Sequence, residues 1–190
     1  KNADGTFSPI DDSCICGENV YVFCAPQSID YRYSIYDSKN SAARDNVNAW
    51  ASLTEQMYIW IYSTNFNNYL LPYNSFDSIQ GNYQFLKSIG ANYIFNQSQF
   101  NQSAATGFST LKMFLNSRLA WNVNLDYEEL LEEFFTYFYY DAAKPMREMF
   151  DMFRMNLQYI QSVYNTEGST NTDILKSEYW PKAFIDQLLA

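Results

Sequence analysis

An α/β fold is predicted, with about three parallel strand–helix units followed by an all-helical C-terminal extension. Three observations predict it. Short β-branched and aromatic runs at 19–25, 57–62 and 92–95 each precede a stretch with helical periodicity. Such alternation indicates a parallel sheet, because parallel neighbours need a crossover connection. After Asn122 the pattern turns purely helical. With 190 residues, 47% of them hydrophobic, the chain can bury a sizeable core. The expected organisation is a loop or tail over 1–18, a (β/α) region over 19–121, and a helical extension over 122–190 packed on it.

Taken in order, Lys1 to Gly17 carry Gly5, Ser8, Pro9 and Asp11-Asp12 without periodicity, hence a loop. Asn19-Val-Tyr-Val-Phe-Cys-Ala25, ended by Pro26, reads as a buried strand. Val47, Trp50, Ala51 and Thr54 share a face of a helix over Ser41 to Glu55, which Asn40 or Ser41 can cap. Met57-Tyr-Ile-Trp-Ile-Tyr62 is the strongest strand, apolar on both faces as expected at the centre of a parallel sheet. Ser63 to Asn68 leaves it into a loop closed by Leu71-Pro72. Asp77 can cap a helix with Ile79, Tyr83, Leu86 and Ile89 inside and Gly90 just past its end. Asn92-Tyr-Ile-Phe95 is the third strand, and Asn96 to Phe100 continues it into a polar loop. Phe108, Leu111, Leu115 and Leu119 mark a helix ending near Trp121. Asp126 and Glu129 open the next in the manner of a capping box, ahead of Leu130, Leu131, Phe134, Phe135 and Phe138. Pro145 suits the first turn of a long helix whose stripe from Met146 to Tyr164 reads as core. Glu167 to Asp173 is a polar loop, and Pro181 to Ala190 begins a final helix.

Histidine is absent. That removes imidazole metal sites and every nucleophile system built on a histidine base. A formal charge of −9 without a basic run excludes nucleic acid as an expected partner. No apolar run approaches the roughly 20 residues that span a bilayer, so no membrane partner is expected. Cys14, Cys16 and Cys24 are odd in number, and Cys-x-Cys suits neither an intrachain disulfide nor a completed zinc site. They read as free thiols, and no metal or cofactor is expected. Aromatic residues make up 19% of the chain, led by 17 Tyr. An apolar ring with a polar tip suits wet interfaces and sugar surfaces, and points to an extracellular or cell-surface setting.

Three parallel strands leave two unpaired edges and cannot close a barrel, which takes eight in the common (β/α) architecture. The region is either a small open α/β domain or the end of a larger barrel. At Trp60-Ile-Tyr-Ser-Thr-Asn-Phe66 and Tyr69-Leu-Leu-Pro72 the chain begins to resemble a known family. Asn116-Ser-Arg-Leu-Ala-Trp-Asn-Val-Asn-Leu-Asp126 and Glu132-Glu-Phe-Phe-Thr-Tyr-Phe-Tyr-Tyr-Asp-Ala-Ala143 extend the likeness. The series, in order over roughly 19–189, resembles the bacterial "domain of unknown function 4838" proteins, large and glycoside-hydrolase-like. The resemblance implies the last part of a (β/α)8 barrel plus its helical extension, with the upstream strands missing before residue 1. It also implies departures here: the family often carries glycine where Tyr140 stands, and often a histidine near Tyr33.

Ligands of parallel α/β sheets meet the C-terminal ends of the strands. Those ends supply Trp60, Tyr62, Asn65, Phe66, Asn96 and Gln97 as candidate substrate-binding residues. Rings and amides suit sugars, although Trp60 and Tyr62 equally fit as filling for a barrel interior. No catalytic residue is assigned. Glycoside cleavage needs two carboxylates, and the nearest, Asp30 and Asp37 with Arg32 between them, read as a salt-bridged loop. Glu128, Glu129, Glu132 and Glu133 read as the solvated first turns of a helix. Asn96-Gln-Ser and Asn101-Gln-Ser match the glycosylation triplet, by coincidence for a chain resembling a bacterial family. The functional expectation is a fragment of a carbohydrate-active enzyme that contributes to a sugar-binding face and is inactive alone. Its partners would be carbohydrate, the upstream half of the same polypeptide, and further copies of itself through open edges. The alternative is a non-catalytic carbohydrate-binding or protein-interaction module.

Overall fold

Strand β2, Met57–Tyr62, lies at the centre of a three-stranded sheet, between β1, Val22–Cys24, and β3, Ala91–Gln97. The computed structural model describes residues 1–66, 69, 73–98, 108–164 and 174–189. Both pairings are parallel, with Phe23 opposite Tyr58, Tyr58 opposite Tyr93, and Trp60 opposite Phe95. Because side chains alternate along a strand, this register sorts the residues into two unlike faces. Val22, Cys24, Met57, Ile59, Ile61 and Ile94 point one way; Phe23, Tyr58, Trp60, Tyr93 and Phe95 point the other.

The aliphatic face is covered by helices. Helix α1, Ser41–Ala51, presents Ala43 and Val47, and α2, Ile79–Ser88, presents Phe85 and Leu86. Val47, Ile59, Ile61, Phe85 and Leu86 meet around one small apolar cavity, so both helices lie on the same side of the sheet. Burial of each such side chain contributes roughly 1.5–3 kcal/mol. Gly90, at φ 72°, ends α2 in the left-handed conformation expected of it.

Helix α3, Ser109–Trp121, buries Leu111, Leu115 and Leu119 in the same core. The extension follows as α4, Tyr127–Tyr139, α5, Ala143–Val163, and α6, Lys182–Leu188. Asp126 caps α4 by accepting from the Glu129 backbone N–H at 3.0 Å. The extension docks through Phe150, which meets Phe76, Phe108 and Phe135 with ring centroids 5.0–5.5 Å apart. Among the described residues no helix is long and apolar enough to cross a membrane.

The α/β architecture with three parallel strands and a helical C-terminal part is thus observed, with local differences. β1 is shorter than its apolar run and is not buried: Phe23 is 55% exposed, because among the described residues no helix packs on that face. β3 continues through Asn96 and Gln97, expected in a loop, since its ladder with β2 runs on to Tyr62. α1 stops at Ala51, and Trp50 is exposed rather than inward. Asn40 does not cap α1; its side chain stitches the preceding loop, bonding the Asp30 N–H and the carbonyls of Asp30, Tyr33 and Ser34. Asp77 caps nothing either: its carboxylate pairs with Arg154 at 2.5 Å and accepts from Gln158 at 2.7 Å, which ties α5 to the sheet layer. The expected loops at Leu71-Pro72 and 167–173, Phe100, the second glycosylation triplet and Ala190 lie outside the described residues.

Tyr140 links α4 to α5 at φ 51° and ψ −117°, a conformation that glycine adopts without penalty and an L side chain does not. Its ring is 76% exposed and has little packing to lose. Tyr140→Gly is therefore expected to stabilise the protein by about 1 kcal/mol in urea unfolding, whereas Tyr140→Ala, which keeps the Cβ, should not. A loss of stability in the glycine variant would contradict the strain.

Candidate functional site

Among the described residues no helix covers the second sheet face. Its side chains pack on one another instead, as the alternation dictates. Tyr58 and Tyr93 lie 5.2 Å apart, and Trp60 meets Phe95 at 4.8 Å edge-on. Phe23 stacks beside Trp60 at 5.9 Å, and Tyr62 also stacks with it at 6.1 Å. The result is a ribbon of rings across all three strands, with Tyr21, Phe23, Tyr93 and Phe95 exposed and Trp60 half-buried. Polar groups gather where the strands end. The Trp60 indole N–H donates to Gln97 Oε1 at 2.9 Å, and Gln27 Nε2 donates to the Tyr62 hydroxyl at 3.4 Å.

Of the six candidate residues, the structure brings four together. Trp60, Tyr62, Phe66 and Gln97 form one patch, Phe66 lying edge-on to Tyr62 at 5.9 Å. The other two are elsewhere. Asn96 points to the helix-covered side, where its Oδ1 accepts from Ser63 Oγ at 2.7 Å and its side chain bonds the Tyr83 hydroxyl. Burial pushes that phenol up to about 12, against the hydrogen bond from Asn96. Asn65 is 1% exposed and so offers no amide to a ligand at the surface. Phe23, Phe95 and Gln27 join the patch beyond these six. The signal for the two rings is aromatic residues at every second position of each strand; Gln27 lies just past the C-terminal end of β1, where ligands of parallel sheets are met.

Most of the candidate carboxylates are engaged. Both oxygens of Asp30 hold Arg32, whose Nε and Nη2 donate at 2.8 and 2.5 Å. Asp37 accepts from the Lys39 backbone N–H. Glu128 pairs with Arg147 and Arg154, and Glu133 with Arg118. Among the described residues no group of three His, Cys, Asp or Glu side chains could hold a metal. Cys14, Cys16 and Cys24 are free.

Behind the patch lies a buried cation. Lys112 of α3 is 6% exposed, and its Nζ donates to the carbonyls of Ser63 at 3.2 Å and Tyr73 at 2.5 Å. The rings of Phe76 and Tyr73 sit 4.8 and 5.2 Å from it. Burial pushes its ammonium down to about 7 from the ordinary 10.5. Between those two values the unfolded chain holds a proton that the folded one has released, so stability rises with pH. Measured against Lys112→Met, wild-type stability is expected to climb from about pH 7 to 10 with a limiting slope of about 1.4 kcal/mol per unit. Above that range the difference levels off, while the stability of both proteins falls, because burial holds the phenols of Tyr31, Tyr73 and Tyr127 protonated in the folded state only. A difference that stays flat with pH would show that Lys112 is not desolvated.

No curated protein and no solved structure matches the chain. One family model does, that of the domain of unknown function (DUF4838), over residues 12–151. The match covers all three strands and runs into α5. The chain is a member of the DUF4838 family.

Proposed function

We propose that this chain is the C-terminal part of a glycoside-hydrolase-like, carbohydrate-active protein, contributing a sugar-binding face without itself cleaving glycosidic bonds. One observation carries the reading. Trp60 presents a half-buried indole at the middle of an aromatic sheet face, with Phe23, Tyr62 and Phe95 around it and Gln97 and Gln27 at its rim. A pyranose ring has an apolar C–H face bordered by hydroxyls. Flat rings suit the first, and side-chain amides, which both donate and accept, suit the second.

Cleavage would require two carboxylates held ~5–10 Å apart across the bond. Among the described residues the nearest carboxylates are Asp30 and Asp37 in the loop after β1; Arg32 occupies the first, and the second accepts from the Lys39 backbone N–H. The acid and nucleophile accordingly belong, in this reading, to upstream parts of the same polypeptide. Among the described residues β1 and β3 each pair with β2 alone, and these edges are where further strands would join, or where isolated chains would self-associate. An extracellular or cell-surface setting, where polysaccharides are met, accords with the reading. A second reading, a protein-interaction module, is favoured by an apolar groove of about 550 Å³ between α3 and α4, walled by Met113, Phe114, Phe134, Tyr137 and Phe138.

Titration calorimetry with cellohexaose, xylohexaose and a glucuronic-acid-bearing xylo-oligosaccharide tests the first reading. At least one is expected to bind, with no release of reducing ends. Trp60→Ala should weaken that binding about tenfold or more, while Trp121→Ala, at the far end of α3, leaves it unchanged. Equal affinity in wild type and Trp60→Ala, or binding to none of the panel, would overturn the proposal.

A further inference from the structure

We infer that Lys112 is a positioning residue, clipping together the two ends of the segment between Ser63 and Tyr73 and so holding Phe66 against Tyr62 at the rim of the aromatic face. The geometry is specific. A single Nζ reaches the carbonyl of Ser63, where the segment leaves β2, and that of Tyr73, where it returns. The parallel ladder gives its last rung there, from Ser63 N–H to the Gln97 carbonyl at 2.9 Å. Beyond that rung the backbone has lost its strand partner, and the lysine supplies two bonds in its place. Ring contacts continue outward, from Tyr62 to Phe66 at 5.9 Å and from Phe66 to Tyr69 at 6.0 Å.

The chemistry of the site fits a clip better than a charge pair. Among the described residues no carboxylate bonds Lys112; its partners are two carbonyls and the faces of Phe76 and Tyr73. Burying an ammonium without a counter-ion is costly, and a methionine would fill the same volume without that cost. What methionine cannot do is donate two hydrogen bonds to chain ends ten residues apart in sequence. Both N–H bonds survive loss of the extra proton, so the clip persists in the neutral amine. The effect on ligand affinity rests on the sugar-binding reading above; the effect on the segment does not.

Amide hydrogen exchange on wild type and Lys112→Met separates the two. The amides of Thr64, Asn65, Phe66 and Tyr69 are expected to exchange about tenfold faster in the variant, relative to those of Ile59 and Ile61 within β2. That ratio cancels any uniform change in stability, which a merely structural role would produce. On the same oligosaccharide panel, affinity should fall about fivefold or more. Faster exchange with no glycan bound by wild type supports the clip and overturns the sugar reading. An unchanged exchange ratio overturns the clip whatever the affinity does. Should the variant fail to fold, the wild-type protein decides: scalar couplings from Lys112 Nζ to the Ser63 and Tyr73 carbonyl carbons are expected, and their absence overturns the inference.

Discussion

Two residues of alternation in one strand organise this molecule. Met57, Ile59 and Ile61 are each 6% exposed or less, and between them Tyr58 and Trp60 face the other way. Because β2 pairs on both sides, its alternation fixes that of its neighbours: Cys24 and Ile94 flank Ile59, and Tyr93 lies opposite Tyr58. The helices follow from this. Two crossovers of the same hand place α1 and α2 on one side, where the aliphatic side chains are. A slip of one residue in register would bury the rings and expose the isoleucines. The aromatic face is left open by the same step that builds the core.

The polar groups behind the sheet obey a second constraint. A strand end buried under a helical extension leaves backbone and side-chain groups away from water, and each needs a partner. Here the extension and α3 supply them. Gln161 of α5 accepts from Asn74 and donates to the Arg32 carbonyl, Tyr127 of α4 donates to the Phe76 carbonyl, and Lys112 serves Ser63 and Tyr73. Asn74 Oδ1 and Ser75 Oγ are buried without a partner among the described residues. The helical part is therefore joined to the sheet by hydrogen bonds as well as by the Phe76–Phe150 contact. It stiffens the region that holds the buried Tyr62 and the half-buried Phe66 beside it.

Much of this was legible in the chain itself. Strand–helix alternation and the change to pure helical period located every strand and most helices, since periodicity reflects burial directly. What failed did so where tertiary partners overrode local preference. Asp77 and Asn40 have the chemistry of caps, yet Arg154 and the Asp30–Ser34 backbone compete for them successfully. Asn96 looked like a ligand-facing amide, but parity along β3 turns it toward Ser63 and Tyr83, and its neighbour Gln97 toward Trp60. Lys112 gave no signal at all: a lone lysine early in a helix is ordinarily solvated, and only the folded positions of Ser63 and Tyr73 reveal its role. The period-two rings at 21–23, 58–62 and 93–95 are visible in the sequence, where Trp60 and Tyr62 fit equally as ligand-facing rings and as interior filling, because a strand pattern cannot say which of its faces a helix will cover.

The account stands or falls on the aromatic face being the working surface. The four tryptophans report on four places: Trp50 at the end of α1, Trp60 on the open sheet face, Trp121 at the end of α3, and Trp180 beside α6. Their indole N–H signals in a ¹H–¹⁵N spectrum, followed during titration with the oligosaccharide panel, locate any bound glycan without a mutation. The account predicts that the Trp60 signal moves and the other three stay. Movement of Trp121 in place of Trp60, or of none of the four at saturating sugar, would contradict it.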